Sequence, residues 1–207
     1  MSAADHGGTT PLTVAHVIHS LGAGGAEAVL VELARAAPSA GIRLVVVGLS
    51  DAVSDEGIDN RVVPLLREQG AVVHELHSGR YDATAIARLA KVLREEHVDI
   101  VHTHLKHADL VGGLAARRVG VPSVSTLHVI DIPPTSGMHR LRVKVAVVGR
   151  RFLSSVVIAL SSAQRVGMRS MLGWPHRSLC CPTGLPTPPG EPRPGPGPRR
   201  DRGGARD

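Results

Sequence analysis

The sequence predicts an α/β domain built on a doubly wound parallel sheet of the Rossmann type, and three observations carry that expectation. Short β-branched apolar runs alternate with stretches of helical periodicity from about residue 13 to about residue 175. The runs, Ile42–Leu49 above all, are nearly continuously aliphatic, as strands buried on both faces are. The aromatic side chains are Trp174, Tyr81 and Phe152 alone, so the core has to be built from Val, Leu, Ile and Ala. Strand–helix alternation at this spacing implies right-handed βαβ crossovers and a parallel sheet, with ligands expected beyond the carboxyl ends of the strands.

The first strand is Thr13–His19, and the loop Gly22-Ala23-Gly24-Gly25 follows it. Ala26, Val29, Leu30, Leu33, Ala34 and Ala37 then recur at helical spacing, and Gly41 stands where a left-handed residue would end the helix. Ile42–Leu49 and Ala71–Leu76 are the next strands. The helix from Asp82 buries Ile86, Leu89, Ala90 and Leu93, with Asp82 as N-cap. Asp99–Thr103 is a fourth strand, followed by a helix with Ala108, Val111, Gly112 and Ala115 on one face. Pro122 opens a fifth strand, Ser123–His128. Residues 138–153 read as a helix with Met138, Leu141, Val145, Val148 and Phe152 on one side, Ser155–Leu160 as a sixth strand, and 163–172 as a last helix. The expected organisation is a flexible N-terminus (1–11), one domain (12–175) and a disordered tail rich in Pro, Gly and Arg (176–207).

Composition excludes several classes. The chain has 207 residues and a net charge of +6, but half of that excess sits in the tail, and a nearly balanced body does not present the basic face of a DNA binder. So few aromatics leave no stacking platform for single-stranded nucleic acid. The polar segment Met1–Thr10 lacks the apolar run of a secretory signal, and no uncharged run approaches the roughly 20 residues of a membrane span, so a cytoplasmic location is expected. The two cysteines, Cys180 and Cys181, are adjacent and offer neither a disulfide framework nor metal-ligand spacing.

Three loops on the expected ligand edge carry candidate chemistry. Glycines at 22, 24 and 25 let the backbone approach a ligand, and the following helix N-terminus favours a phosphate, with a tight turn that holds no ligand as the alternative. A dinucleotide site is disfavoured, because Glu27 occupies the third glycine position of G-x-G-x-x-G and Asp51 lies beyond the usual spacing of about 20 residues. His102 and His104 share one face of the fourth strand and His107 starts the next helix. That pair invites a metal reading, but no third ligand stands out and Asp99 and Asp109 read as strand-start and helix-surface acids. Hydrogen-bonding or substrate-facing histidines are therefore expected, and no metal. His128 closes the fifth strand at the same edge as Gly24 and His104 and reads as a ligand-facing histidine, with a core or rim histidine as the alternative. Arg140, Lys144 and Arg151 fall opposite the apolar stripe of their helix, a pattern that suits a solvated face or peripheral contact with an anionic membrane surface.

Four segments in order, the Gly24-Gly25-Ala26-Glu27 loop after VAHVIHSL, then DIVHTHL, STLH and VVIALSSAQR, together resemble the N-terminal domain of family 4 retaining glycosyltransferases over about residues 13–175. The resemblance implies one half of a GT-B architecture, in which two Rossmann-like domains face each other across a cleft and no metal or other cofactor is required beyond the nucleotide-sugar substrate. It implies that Gly24 and Gly25 approach the donor phosphates or the transferred sugar, that His128 hydrogen-bonds the reacting sugar, that His104 lies on the acceptor side, and that Ser161 faces the cleft. It implies same-face displacement through an oxocarbenium-like state without an enzyme nucleophile, so no catalytic base is assigned.

The chain departs from that family in lacking the second domain, which holds most of the nucleotide. Cys181-Pro182-Thr183-Gly184-Leu185 and the tail stand where the family continues. A truncated enzyme, or one completed by a separate C-terminal polypeptide, is therefore expected, inactive alone. A non-catalytic binding or scaffold module on the same fold is the alternative.

Overall fold

The computed structural model describes residues 10–54, 57–79, 82–128, 150, 152–161, 164 and 178–180. In chain order the elements are β1 (Leu12–Ile18), α1 (Gly25–Ala36), a 3-10 turn (Pro38–Ala40), β2 (Ile42–Gly48), β3 (Val53–Ser54), β4 (Gly57–Ile58), α2 (Val62–Glu68), β5 (Val72–Glu75), α3 (Thr84–Glu95), β6 (Ile100–His104), α4 (Lys106–Val119), β7 (Ser123–Leu127), β8 (Val156–Ala159) and β9 (Ser178–Cys180). One seven-stranded sheet runs in the order β5-β2-β1-β6-β7-β8-β9 with every pairing parallel, and β3 and β4 form a separate antiparallel hairpin. The winding direction reverses between β1 and β6, which makes their carboxyl ends the topological switch point.

Strand alternation divides the core into two layers. Val17, Val45, Val47 and Val101 pack with Leu89, Leu93, Ala108 and Ala115 of α3 and α4. Ile18, Leu44 and Val46 pack on the other face with Leu30, Ala34, Val63 and Leu66 of α1 and α2. Helix α4 lies close on the sheet because a Cβ at Gly112 would stand 2.6 Å from Thr103 Cγ2, and one at Gly113 would stand 2.7 Å from Leu153 Cβ. Gly41 ends the α1 segment at φ +67°, in the left-handed region expected of it. Asp82 accepts hydrogen bonds from the Thr84 N–H (2.8 Å) and hydroxyl (2.6 Å), so it caps α3 although regular helix starts two residues later.

Five details differ from the sequence reading. Val29, expected on the buried face of α1, is 42% exposed. No element is expected between residues 50 and 70, where β3, β4 and α2 lie; each is too short to show a period, and Pro64 is tolerated in the first turn of α2, whose N–H groups have no helical acceptor. Ser178–Cys180 adds a seventh strand by pairing with β8, although the tail is expected from 176; three residues suffice because an edge strand borrows its ladder from its neighbour.

Asp109 is a fully buried carboxylate, whereas the sequence suggests a surface acid. Its Oδ1 accepts the Thr103 (2.5 Å) and Ser125 (2.7 Å) hydroxyls, and its Oδ2 accepts Arg150 Nε (2.9 Å) and Nη2 (2.5 Å). Phe152, expected inside, is 71% exposed. The reason is the same ion pair: Arg150 takes the inward position to reach Asp109 and turns Phe152 outward. Asp99, by contrast, is the strand-start acid expected, with Oδ2 accepting the Thr13 N–H at 2.8 Å. The remainder of the expected 138–153 and 163–172 helices, the basic stripe Arg140, Lys144 and Arg151, the N-terminal residues 1–9 and the tail beyond 180 lie outside the described residues.

Candidate functional site

All strands of the main sheet are parallel, so the carboxyl ends of β1, β6, β7 and β8 share one edge; Gly24 and Gly25, His128 and Ser161 follow β1, β7 and β8, and His104 is the last residue of β6. The glycine loop is anchored from below. A Cβ at Gly22 would lie 2.7 Å from Ala52 Cβ, and the Ala23 N–H donates to Asp59 Oδ2 at 3.1 Å. Arg61 grips Asp59 at 2.9 and 3.0 Å, and these hydrogen bonds hold the Asp59 carboxyl well below the usual carboxylate range. Gly24 is the N-cap of α1 and no side chain caps the helix, so its first-turn N–H groups have no capping acceptor. Around the Cβ position of Gly25 there is open space within 4 Å, while the Glu27 carboxylate folds over Gly24. The helix N-terminus is thus most open at Gly25.

At the switch point His19 Nδ1 and His107 Nδ1 lie 3.0 Å apart, linking the end of β1 to the start of α4. Between His104 and α4 stands Leu105 at φ 73°, ψ 160°, a conformation essentially reserved for glycine and strained in any other residue.

Behind this edge lies a cluster of imidazoles. Register pairs His16 of β1 with His102 of β6, and alternation puts His104 on the same face. His16 Nδ1 lies 2.9 Å from His104 Nε2, and His104 Nδ1 lies 2.8 Å from His128 Nε2. His102 Nε2 meets Thr126 Oγ1 at 2.7 Å. Burial, with His102 adding to it, pushes His16 down to about 3; burial and then His128 push His102 down to about 4 against the opposing pull of Asp109. Burial and the three neighbouring imidazoles hold His104 far below the ordinary histidine range, and burial lowers His128 while Asp109 raises it. The chain His16–His104–His128 is therefore neutral at pH 7, each ring donating through one nitrogen and accepting through the other.

These positions refine the expectations. His128 is half-buried and stands on the ligand edge. His104 is 1% exposed with both ring nitrogens engaged, by His16 and by His128, so its side chain is not open at the edge. Ser161 follows β8 and its Oγ accepts the Gln164 N–H at 3.2 Å, a turn-closing role. His16 is the member that sequence spacing misses, because it joins the cluster through register with a strand 86 residues away. The signal was present as matching histidines in VAHVIHS and HTHLKH on strands that a doubly wound order makes neighbours. A cavity of about 300 Å³ also touches His16 and His102, but it is apolar and sits under the end of α1 toward the strand starts, away from the ligand edge.

Among solved structures, HepE from Anabaena in complex with UDP-glucose has a similar fold, with a TM-score of 0.63 and 23% identity over 82% of this chain and 43% of that one. A glycosyltransferase from Rickettsia africae gives 0.61 and 18% over 83% and 43%, and sucrose-phosphate synthase from Thermosynechococcus elongatus gives 0.58 and 13% over 83% and 48%. The chain spans less than half the length of each of these structures. A search of curated proteins found no match. The sequence model of Glycosyltransferase Family 4 matches residues 23–187, from inside the glycine loop through β9. With the doubly wound order, the uncapped glycine loop after β1 and a match over most of its length, the chain belongs to Glycosyltransferase Family 4.

Proposed function

We propose that this chain is the acceptor-side half of a retaining glycosyltransferase that transfers a hexosyl unit from a nucleotide-sugar. The observation that carries the reading is the open helix N-terminus at Gly25 sharing an edge with His128 in a member of this family. N–H groups of the first turn of α1 would meet the charge that develops on the departing diphosphate, with no reorganisation needed at the moment of reaction. His128, whose Nε2 is held by His104, would offer Nδ1 to a sugar hydroxyl, and the neutral imidazole chain behind it would fix that orientation. Ser161 would face the cleft beside them. The donor nucleotide would be held mainly by a second domain or a separate polypeptide, so the chain alone would turn over little or no substrate. Peripheral contact with a membrane surface through Arg140, Lys144 and Arg151 belongs to the same reading; among the described residues no helix is long and apolar enough to cross a membrane.

Calorimetric titration with UDP-, GDP- and ADP-sugars and with NAD tests this. Weak binding of a nucleotide-sugar, none of NAD, and turnover only after a C-terminal domain is supplied are expected. Steady turnover by the chain alone would overturn the half-enzyme reading. Binding with no turnover in the completed protein would favour a non-catalytic module.

A further inference from the structure

We propose that His16, His102 and His104 form a three-imidazole site for one divalent transition-metal ion of the zinc class. Their ligand nitrogens all lie within 4.8 Å of one another. Three nitrogens at about 2.0–2.1 Å from a tetrahedral ion stand roughly 3.3 Å apart, so the closest pair, at 2.9 Å, has to open by a few tenths of an ångström, while a pair at the 4.8 Å limit would have to close by about 1.5 Å through side-chain rotation.

Hydrogen bonds at the margin of the cluster fix which nitrogen His104 and His102 would present, and the proton shared between His16 Nδ1 and His104 Nε2 would pass to the far nitrogen of its ring when an ion takes its place. His104 gives Nδ1 to His128 and keeps Nε2 toward His16; His102 gives Nε2 to Thr126 and keeps Nδ1. A partner on the non-ligating nitrogen is what orients metal-bound histidines elsewhere.

The donor set also selects the ion. Three imidazoles suit zinc, copper, nickel or cobalt and disfavour magnesium and calcium, which need oxygen ligands. Asp109 belongs to the opposite face of the sheet, fully engaged by Arg150, Thr103 and Ser125. The apolar cavity of about 300 Å³ borders two of the three rings, His16 and His102.

The full chain, stripped with a chelator, is titrated with Zn²⁺ against a chromophoric competitor at neutral pH, and the Zn²⁺-loaded protein is examined by X-ray absorption. One ion per chain is expected, with a Kd of about 1 µM or tighter, and three imidazole nitrogens at about 2.0–2.1 Å. His102→Gln should weaken binding by more than about 100-fold and Thr126→Val by roughly 10-fold, while His97→Asn, at an exposed imidazole, should leave it unchanged. A Kd weaker than about 100 µM, a shell dominated by oxygen, or full affinity in His102→Gln would overturn the site. The absorption measurement uses the unaltered protein, so it decides the matter even where a variant fails to fold.

Discussion

Acidification from about pH 7.5 to about pH 5, in the presence of chelator, probes the imidazole cluster directly. In the unfolded chain each histidine titrates near 6.5 and is almost fully protonated at the lower pH, whereas His16 and His102 stay neutral in the fold down to about 3 and about 4. The unfolded state therefore binds more protons, and stability falls as pH falls through this window. Each such histidine costs about 2 kcal/mol over the interval, and His104, shifted in the same direction, contributes a similar amount. The sum, about 6 kcal/mol, rivals the whole stability of an ordinary domain. The carboxylates held low by hydrogen bonds, Asp82 to Thr84 and Glu96 to Arg43, weaken the fold as pH falls through the ordinary carboxylate range and below it, mostly beneath the histidine window. Urea denaturation followed by circular dichroism should show a slope of about 4 kcal/mol per pH unit between pH 6 and 5, and His102→Gln should remove about a third of it. A slope below about 1.4 kcal/mol per pH unit, the value for a single group, would refute the neutral cluster.

Other perturbations test the packing and the ligand edge. Gly112→Ala places a methyl against Thr103 Cγ2 and should cost about 1–3 kcal/mol in urea denaturation. Gly25→Ala meets open space and should change stability by less than about 1 kcal/mol; a loss of nucleotide-sugar affinity by calorimetry without a loss of stability would mark it as a ligand contact. Arg150→Met strands the buried Asp109 charge and should cost about 3–5 kcal/mol, while the added change Asp109→Leu should recover much of it. Leu105→Gly releases backbone strain of about 1–3 kcal/mol but loses apolar packing, so thermal denaturation should show little net change.

The fold was legible because its signals are local. Ile42–Leu49 reads as a doubly buried strand from its own residues, and Ala108, Val111, Gly112 and Ala115 fall on the buried face of α4 as their spacing requires. The ligand edge followed from strand–helix alternation alone. What stayed hidden depends on partners distant in the chain. His16 becomes a cluster member only through register with β6, and Asp109 becomes a core residue only when Arg150 meets it 41 positions later. Phe152 misleads for the same reason, since periodicity weighs apolar residues and cannot foresee that a buried carboxylate will claim the inward position for arginine. The roles of Gly24, Gly25, His128 and Ser161 came from family resemblance; the structure adds their shared edge and shows His104 behind it.

The Asp109–Arg150 pair also bears on the order in which the molecule can be completed during synthesis. Helix α4 and strands β6 and β7 emerge from the ribosome with an anion that has only two hydroxyls to hold it, and the counterion follows 41 residues behind. Until that arginine arrives, closing the far half of the sheet would trap a bare charge, so the nascent β6–α4–β7 unit is expected to remain loose and to lock in a single late step.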